Sequence, residues 1–227
     1  CGAKPPKDVT VSTVNRAEDG DLETLTQSWN GFFKEKIIFS YARCGSCDLL
    51  YCPIFFTNNQ LETLYGKMPP NMDEVPMAAL ISTQYGYFKL LKNSSPLRGG
   101  FVEIGPDIGL FTAHCVNEGA FSEYWLFEPN RAVKSKLRNV VKDHKAHVIH
   151  EMTDFTAIPD GAASVAVIIH VMDHLLDPVT TLLALKKKLA SDARLLIVTH
   201  DESSLLRRLF DWRWPAFCLQ HPQIYRK

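Results

Sequence analysis

From residue 100 onward, short apolar runs of strand character alternate with segments of helical spacing, and that alternation restricts the chain to a parallel α/β sheet. The runs are 100–104, 124–127, 146–150, 164–169 and 194–199. Between them, 110–118 has helical character and is closed by Gly119, while 130–141 places Val133, Leu137, Val140 and Val141 on one stripe. Asp177-Pro178 opens a third helix carrying Leu182, Leu185 and Leu189. Asp accepts from orphan N–H groups there, and Pro takes a first-turn position that needs no donor. Parallel strands require crossovers, which these helices supply, so the pattern predicts a doubly wound sheet whose ligands bind beyond the carboxyl ends of its strands. Upstream, apolar positions 77, 80, 81, 88 and 91 predict a further helix from Met77 to near Asn93.

The front of the chain is different. Residues 1–36 are polar, 36–41 reads as a strand, and Cys44-Gly45-Ser46-Cys47 follows. Met68-Pro69-Pro70-Asn71 breaks the pattern, which predicts a small domain over 1–70 and the sheet domain over 71–227. Six cysteines are too few for a disulfide framework, and a C-x-x-C pair suits metal or redox chemistry, so a reducing, cytoplasmic compartment is expected. Basic and acidic side chains balance at 25 each, which gives no global field for nucleic acid or anionic lipid. The longest nearly apolar run, 162–172, is interrupted by Ser164 and His170 and falls short of the roughly 20 residues that span a bilayer.

The first strand of the sheet ends in Glu103-Ile104-Gly105-Pro106-Asp107-Ile108-Gly109, a glycine-bearing turn into a helix. A dinucleotide fingerprint would have glycine where Asp107 and Leu110 stand. Two carboxylates bracketing such a turn repel a pyrophosphate and suit a cation. S-adenosylmethionine, with a sulfonium and an ammonium against one carboxylate, matches by charge.

At these residues the sequence resembles the class I S-adenosylmethionine-dependent methyltransferases. Glu103, Gly105, Asp107 and Gly109 look like the family's first motif, with Asp107 in place of its middle glycine. Glu128, before Pro129, matches the acid that holds the ribose hydroxyls. Asp154, before Phe155, matches the residue that accepts from the adenine amino group. The segment 169–178, containing His170, Asp173, His174, Asp177 and Pro178, resembles the family's stretch after the fourth strand. The resemblance implies a Rossmann-like sheet of seven strands, the last two expected beyond Lys227.

The front resembles the zinc-binding domain of a subset of these enzymes, through Arg43 to Leu49, Pro53 and 61–65. Trp212 to His221 and Tyr225 resemble that subset's final segment. The subset methylates sugars, often nucleotide-linked ones at a carbon. Cys44 and Cys47 are the expected ligands of a structural zinc. Cys1-Gly2 has two readings: the second half of a C-x-x-C-G knuckle, which makes Cys1 a third ligand, or the lipid-bearing start of a bacterial lipoprotein. A fourth ligand would lie outside the chain.

The expectation is therefore a methyltransferase using S-adenosylmethionine on a sugar or related small molecule, with no nucleic acid or membrane partner. The competing expectations are a small-molecule O- or N-methyltransferase and a non-catalytic module in which Asp107 weakens the cofactor site. His170, just past the fourth strand, is the candidate general base and cofactor neighbour, and His200, after the fifth, is the reserve.

Overall fold

The computed structural model describes residues 10–29, 38–54, 56–67 and 75–227. Cys1 and the Met68-Pro69-Pro70-Asn71 break, both singled out in the sequence, lie outside the described residues. In chain order the strands are β1 (Val11–Ser12), β2 (Ser40–Arg43), β3 (Leu50–Tyr51), β4 (Arg98–Ile104), β5 (Ala120–Phe127), β6 (Ala146–Ile149), β7 (Ala163–Ile169), β8 (Leu189–Val198) and β9 (Gln223–Ile224). The α-helices are α1 (Leu22–Gln27), α2 (Asn58–Lys67), α3 (Met77–Ser94), α4 (Leu110–Glu118), α5 (Lys134–Val140), α6 (Pro178–Lys188) and α7 (Leu205–Phe210).

The chain forms two compact units. The first takes the residues up to Leu64 together with Met172–Leu176 and Thr199–Lys227. Its sheet has the order β1-β2-β3-β9 with antiparallel neighbours. Residues 199–227, expected in the sheet domain, belong here because β9 completes this sheet, with Leu50 opposite Ile224 and Tyr51 opposite Gln223. Buried aromatic rings hold the unit together. Phe39, Tyr41 and Phe217 are fully buried, the Phe39 and Phe217 rings stack at 5.2 Å, and the Tyr41 hydroxyl donates to the Cys218 carbonyl at 2.6 Å. That bond satisfies a polar tip that burial would otherwise strand.

The second unit takes Tyr65–Val171 and Asp177–Val198. Its sheet is parallel throughout, in the order β6-β5-β4-β7-β8, as the alternation predicts. The central strands carry apolar side chains on both faces: Phe101, Val102 and Ile104 of β4 and Val165 to Ile168 of β7 have no exposure. This is why 165–169 reads as an unbroken apolar run: helices cover both faces of a parallel sheet. Phe88 and Leu91 of α3, Phe111 and Cys115 of α4, and Leu137 of α5 pack on it.

Three elements differ from the sequence expectation. Met77 and Ile81, on the expected stripe of α3, are about half exposed, and burial on that helix begins at Gln84. The fifth run, expected over 194–199, forms β8 and reaches back to Leu189, a residue expected on the third helix, because Leu189 pairs with Ala163 ahead of a register shift that carries Val165 to Arg194. Ala190-Ser191-Asp192-Ala193 fills that irregularity at an edge strand, so no apolar period marks it. The helix expected over 130–141 starts with a 3-10 turn, Arg131–Val133, capped by the Asn130 side chain on the Ala132 N–H. Among the described residues, no helix is long and apolar enough to cross a membrane.

Candidate cofactor site

The site is built at the carboxyl ends of β4, β5 and β7, within the second unit. After β4 the chain turns sharply. Gly105 has φ +72°, Asp107 +49° and Gly109 +82°, and the Gly109 N–H closes the turn on the Pro106 carbonyl at 2.8 Å. A left-handed conformation is ordinary for glycine and tolerable for Asp, so Asp107 takes the middle position without opening the turn. At Gly105 space as well as angle demands glycine: an added Cβ would come within 2.3 Å of Val171 Cγ2. Gly105→Ala is therefore expected to lower stability by more than ~1 kcal/mol and to impair cofactor binding, read by urea denaturation and calorimetry.

Two carboxylates organise this end of the sheet. Glu103, at 2% exposure, accepts from the Thr112 hydroxyl, which reaches back from the first turns of α4. Glu128, at the end of β5, is 7% exposed. One of its oxygens accepts from the Asp107 N–H at 2.9 Å and the other from the Asn130 N–H at 2.8 Å. Glu128 thus ties the β4 turn to the β5 turn. Each oxygen keeps a further lone pair, which is the acceptor capacity a ribose diol needs.

Burial pushes the carboxyls of both Glu103 and Glu128 up to about 7. For Glu103 the Thr112 hydrogen bond opposes that rise and the Glu128 charge adds to it. For Glu128 the two backbone N–H groups oppose it and the Asp107 charge adds to it. A cationic ligand here would stabilise the ionised forms, and so the donor set fits S-adenosylmethionine. Between pH 4.5 and about 7 the folded chain holds protons that the unfolded chain has lost. Stability of the ligand-free protein should therefore fall as pH rises through that window, by at most ~3 kcal/mol per carboxyl. Urea unfolding at pH 5 and pH 7.5 measures this, and Glu103→Gln should flatten the dependence.

Asp154 is exposed, and its Oδ1 accepts from the Thr156 N–H at 3.0 Å in its own turn, which holds the carboxyl below its ordinary value. Phe155 is buried edge-on against Phe127, with ring centroids 5.1 Å apart. Pro129 is half-buried between Glu128 and Asn130. His170 leaves β7 with φ +52°, its N–H on the Val198 carbonyl, and its Nε2 stands 3.2 Å from the Tyr87 hydroxyl of α3. The next residue, Val171, is the one that packs against Gly105, so His170 and the β4 turn share one end of the sheet.

Hydrogen bonds thus join Glu128 to the turn holding Gly105, Asp107 and Gly109, and a separate one ties Thr112 of α4 to the strand end at Glu103. His200 belongs to the first unit, where its Nδ1 pairs with Asp173. The sequence reading missed Thr112, Tyr87 and His150. His150, just past β6, lays Nδ1 3.0 Å from the Glu128 carbonyl, and its Nε2 is buried with no hydrogen-bond partner among the described residues. Its position at a strand's carboxyl end was the available signal.

Cys44 and Cys47 lie in the hairpin between β2 and β3. The Cys44 N–H meets the Leu49 carbonyl at 2.9 Å, the Asp48 N–H meets the Cys44 carbonyl at 3.0 Å, and Asp48 turns with φ +61°. Backbone N–H groups of Ser46 and Cys47, and the Cys47 side chain, pull the Cys44 thiol down. A lowered thiol favours the form that a metal binds, and two cysteines in one turn would supply two of the four ligands a zinc ion needs.

Residues 83–227 match the family model for a methyltransferase domain. No curated protein sequence matches the chain. Among solved structures, the chain is similar to a SAM-dependent methyltransferase of the DUF858 family from Leishmania major, with 14% identity and a TM-score of 0.52 over 63% of this chain and 61% of that one. It is similar to DhpI in complex with SAM and HEP, with 13% identity and a TM-score of 0.52 over 68% of this chain and 72% of that one. At such identities the likeness is one of fold. The chain spans about three-fifths of the length of the Leishmania protein.

Proposed function

Because the chain belongs to the methyltransferase-domain family and has the fold of S-adenosylmethionine-dependent methyltransferases, we propose that it transfers a methyl group from that cofactor to a sugar or related small molecule, with carbon of a nucleotide-linked sugar as the first acceptor to test. The observation that carries the reading is Glu128, a buried carboxylate whose two oxygens bind the backbone of the glycine turn and of its own strand end. When bound, the cofactor supplies a methyl group on a sulfonium to a nucleophile placed in line with it.

The protein's own residues do the rest. Glu128 accepts from the ribose hydroxyls, Asp154 accepts from the adenine amino group, and Phe155 and Pro129 border the nucleoside. Glu103 and Asp107 give the turn a negative field that favours a cation. His170 takes the proton from the acceptor carbon beside a carbonyl, with the Tyr87 hydroxyl orienting its ring. The left-handed Asp107 keeps the turn closed, which supports cofactor binding over a non-catalytic assembly module. Cys44 and Cys47, with Cys1, hold a structural zinc in a reducing, cytoplasmic setting.

The test is transfer of an isotopically labelled methyl group to a panel of nucleotide-linked ketosugars and, in parallel, to phenols and amines, with products read by mass spectrometry. A label on a sugar carbon supports the reading. A label on oxygen or nitrogen of the other acceptors makes the chain an O- or N-methyltransferase instead.

A further inference from the structure

In the first unit three side chains converge from three separated stretches of chain: Asp173 in the 3-10 turn Met172–His174, His200 just after β8, and His221 just before β9. Each offers one ligand atom, a carboxylate oxygen or a ring nitrogen, and the three atoms lie within 4.8 Å of one another. Asp173 has no exposure and His221 has 7%. We propose that these residues form a binding site for a divalent transition-metal ion, separate from the Cys44 and Cys47 hairpin and independent of the methyltransferase reading.

The donor set and its supports argue for it. Two imidazoles and one carboxylate suit zinc, cobalt or ferrous iron, and not calcium or magnesium, which prefer oxygen alone. The ligands are also held from behind. The Thr199 hydroxyl donates to one oxygen of Asp173, and the His200 backbone N–H reaches the other at 3.3 Å, the same oxygen that pairs ligand to ligand with His200 Nδ1. His221 Nδ1 lies 2.7 Å from the Ala216 carbonyl, which only accepts, so Nδ1 carries the proton and the lone pair is on Nε2. A carbonyl behind a histidine and a hydroxyl behind a carboxylate are the outer contacts that orient metal ligands.

The surroundings have the same bias. The His221 ring centroid stands 4.9 Å from that of His200 and 4.6 Å from that of His174. Trp214 meets His200 edge-on at 5.9 Å, and Trp214 and Phe217 are buried. A divalent ion would place one positive charge centre among two imidazoles and a carboxylate. Three protein ligands leave at least one coordination position for water or a small ligand, as in metal sites that bind or activate something. A metal on His200 also withdraws that residue from the role of reserve base.

Cobalt titration of metal-stripped protein tests the proposal. In the Cys44→Ser/Cys47→Ser variant, one cobalt per chain should bind with visible d–d bands and without thiolate charge-transfer absorption. His221→Ala in that background should weaken binding by about 100-fold or more, and Thr199→Val, which removes only an outer contact, by about 10- to 100-fold. If circular dichroism shows the double serine variant unfolded, the same titration is run on the unmodified chain and on His221→Ala. The nitrogen and oxygen bands should then vanish in the alanine variant while any thiolate band persists. Uptake equal in the parent and His221→Ala, or no cobalt bands apart from thiolate ones, overturns the site.

Discussion

Replacing His170 by Asn is expected to slow single-turnover methyl transfer by about 100- to 10,000-fold, the contribution of a positioned general base, while S-adenosylhomocysteine affinity stays within a few-fold of the parent. Asn is the informative substitution because His170 sits at φ +52°, a conformation Asn tolerates, so lost rate is not confounded by a backbone forced out of shape. A residue that only packs would change stability more than rate. A turnover near the parent's would remove His170 from the mechanism.

Replacing Glu128 by Ala is expected to weaken cofactor binding by about 30- to 1000-fold, equivalent to roughly 2–4 kcal/mol, from the loss of two hydrogen bonds to a charged acceptor. The same change also releases the N–H groups of Asp107 and Asn130, which loosens the turn itself. Glu128→Gln separates the two contributions, because an amide oxygen still accepts one of those N–H groups and the side chain still fills the space. If Glu128→Ala binds as tightly as the parent by calorimetry, the ribose is held elsewhere.

The second unit was legible because its signals are physical constraints that no other fold satisfies together. Continuous apolar runs mark strands covered on both faces, as in β7. Asp177-Pro178 marks a helix start, and its side chain caps the Thr180 N–H at 3.0 Å. The β4 turn was legible for the same reason: Gly105 lies too close to Val171 for any side chain. What escaped depends on distance in sequence. β9 pairs with β3 across more than 170 residues, so nothing local shows that 199–227 belongs with the front of the chain. β1, β3 and β9 are two residues each and carry no period to read.

The candidate site divides in the same way. Glu103, Asp107 and Glu128 each end a strand or fill its turn, where the sequence announces chemistry. Thr112 and Tyr87 act from helices onto groups fixed by other elements, and one side of each pair is silent without the fold. The triad of Asp173, His200 and His221 is the extreme case. The sequence shows two of eight histidines and one of 25 acidic side chains, and only the fold of the first unit brings their ligand atoms within 4.8 Å.

The most direct test of the central claim, that the β4 turn and Glu128 hold S-adenosylmethionine, is isothermal titration of the unmodified chain with S-adenosylhomocysteine. The account predicts saturable binding at one ligand per chain, weakened by about 30- to 1000-fold in Glu128→Ala. No binding by the folded parent, or binding that Glu128→Ala leaves unchanged, would contradict it.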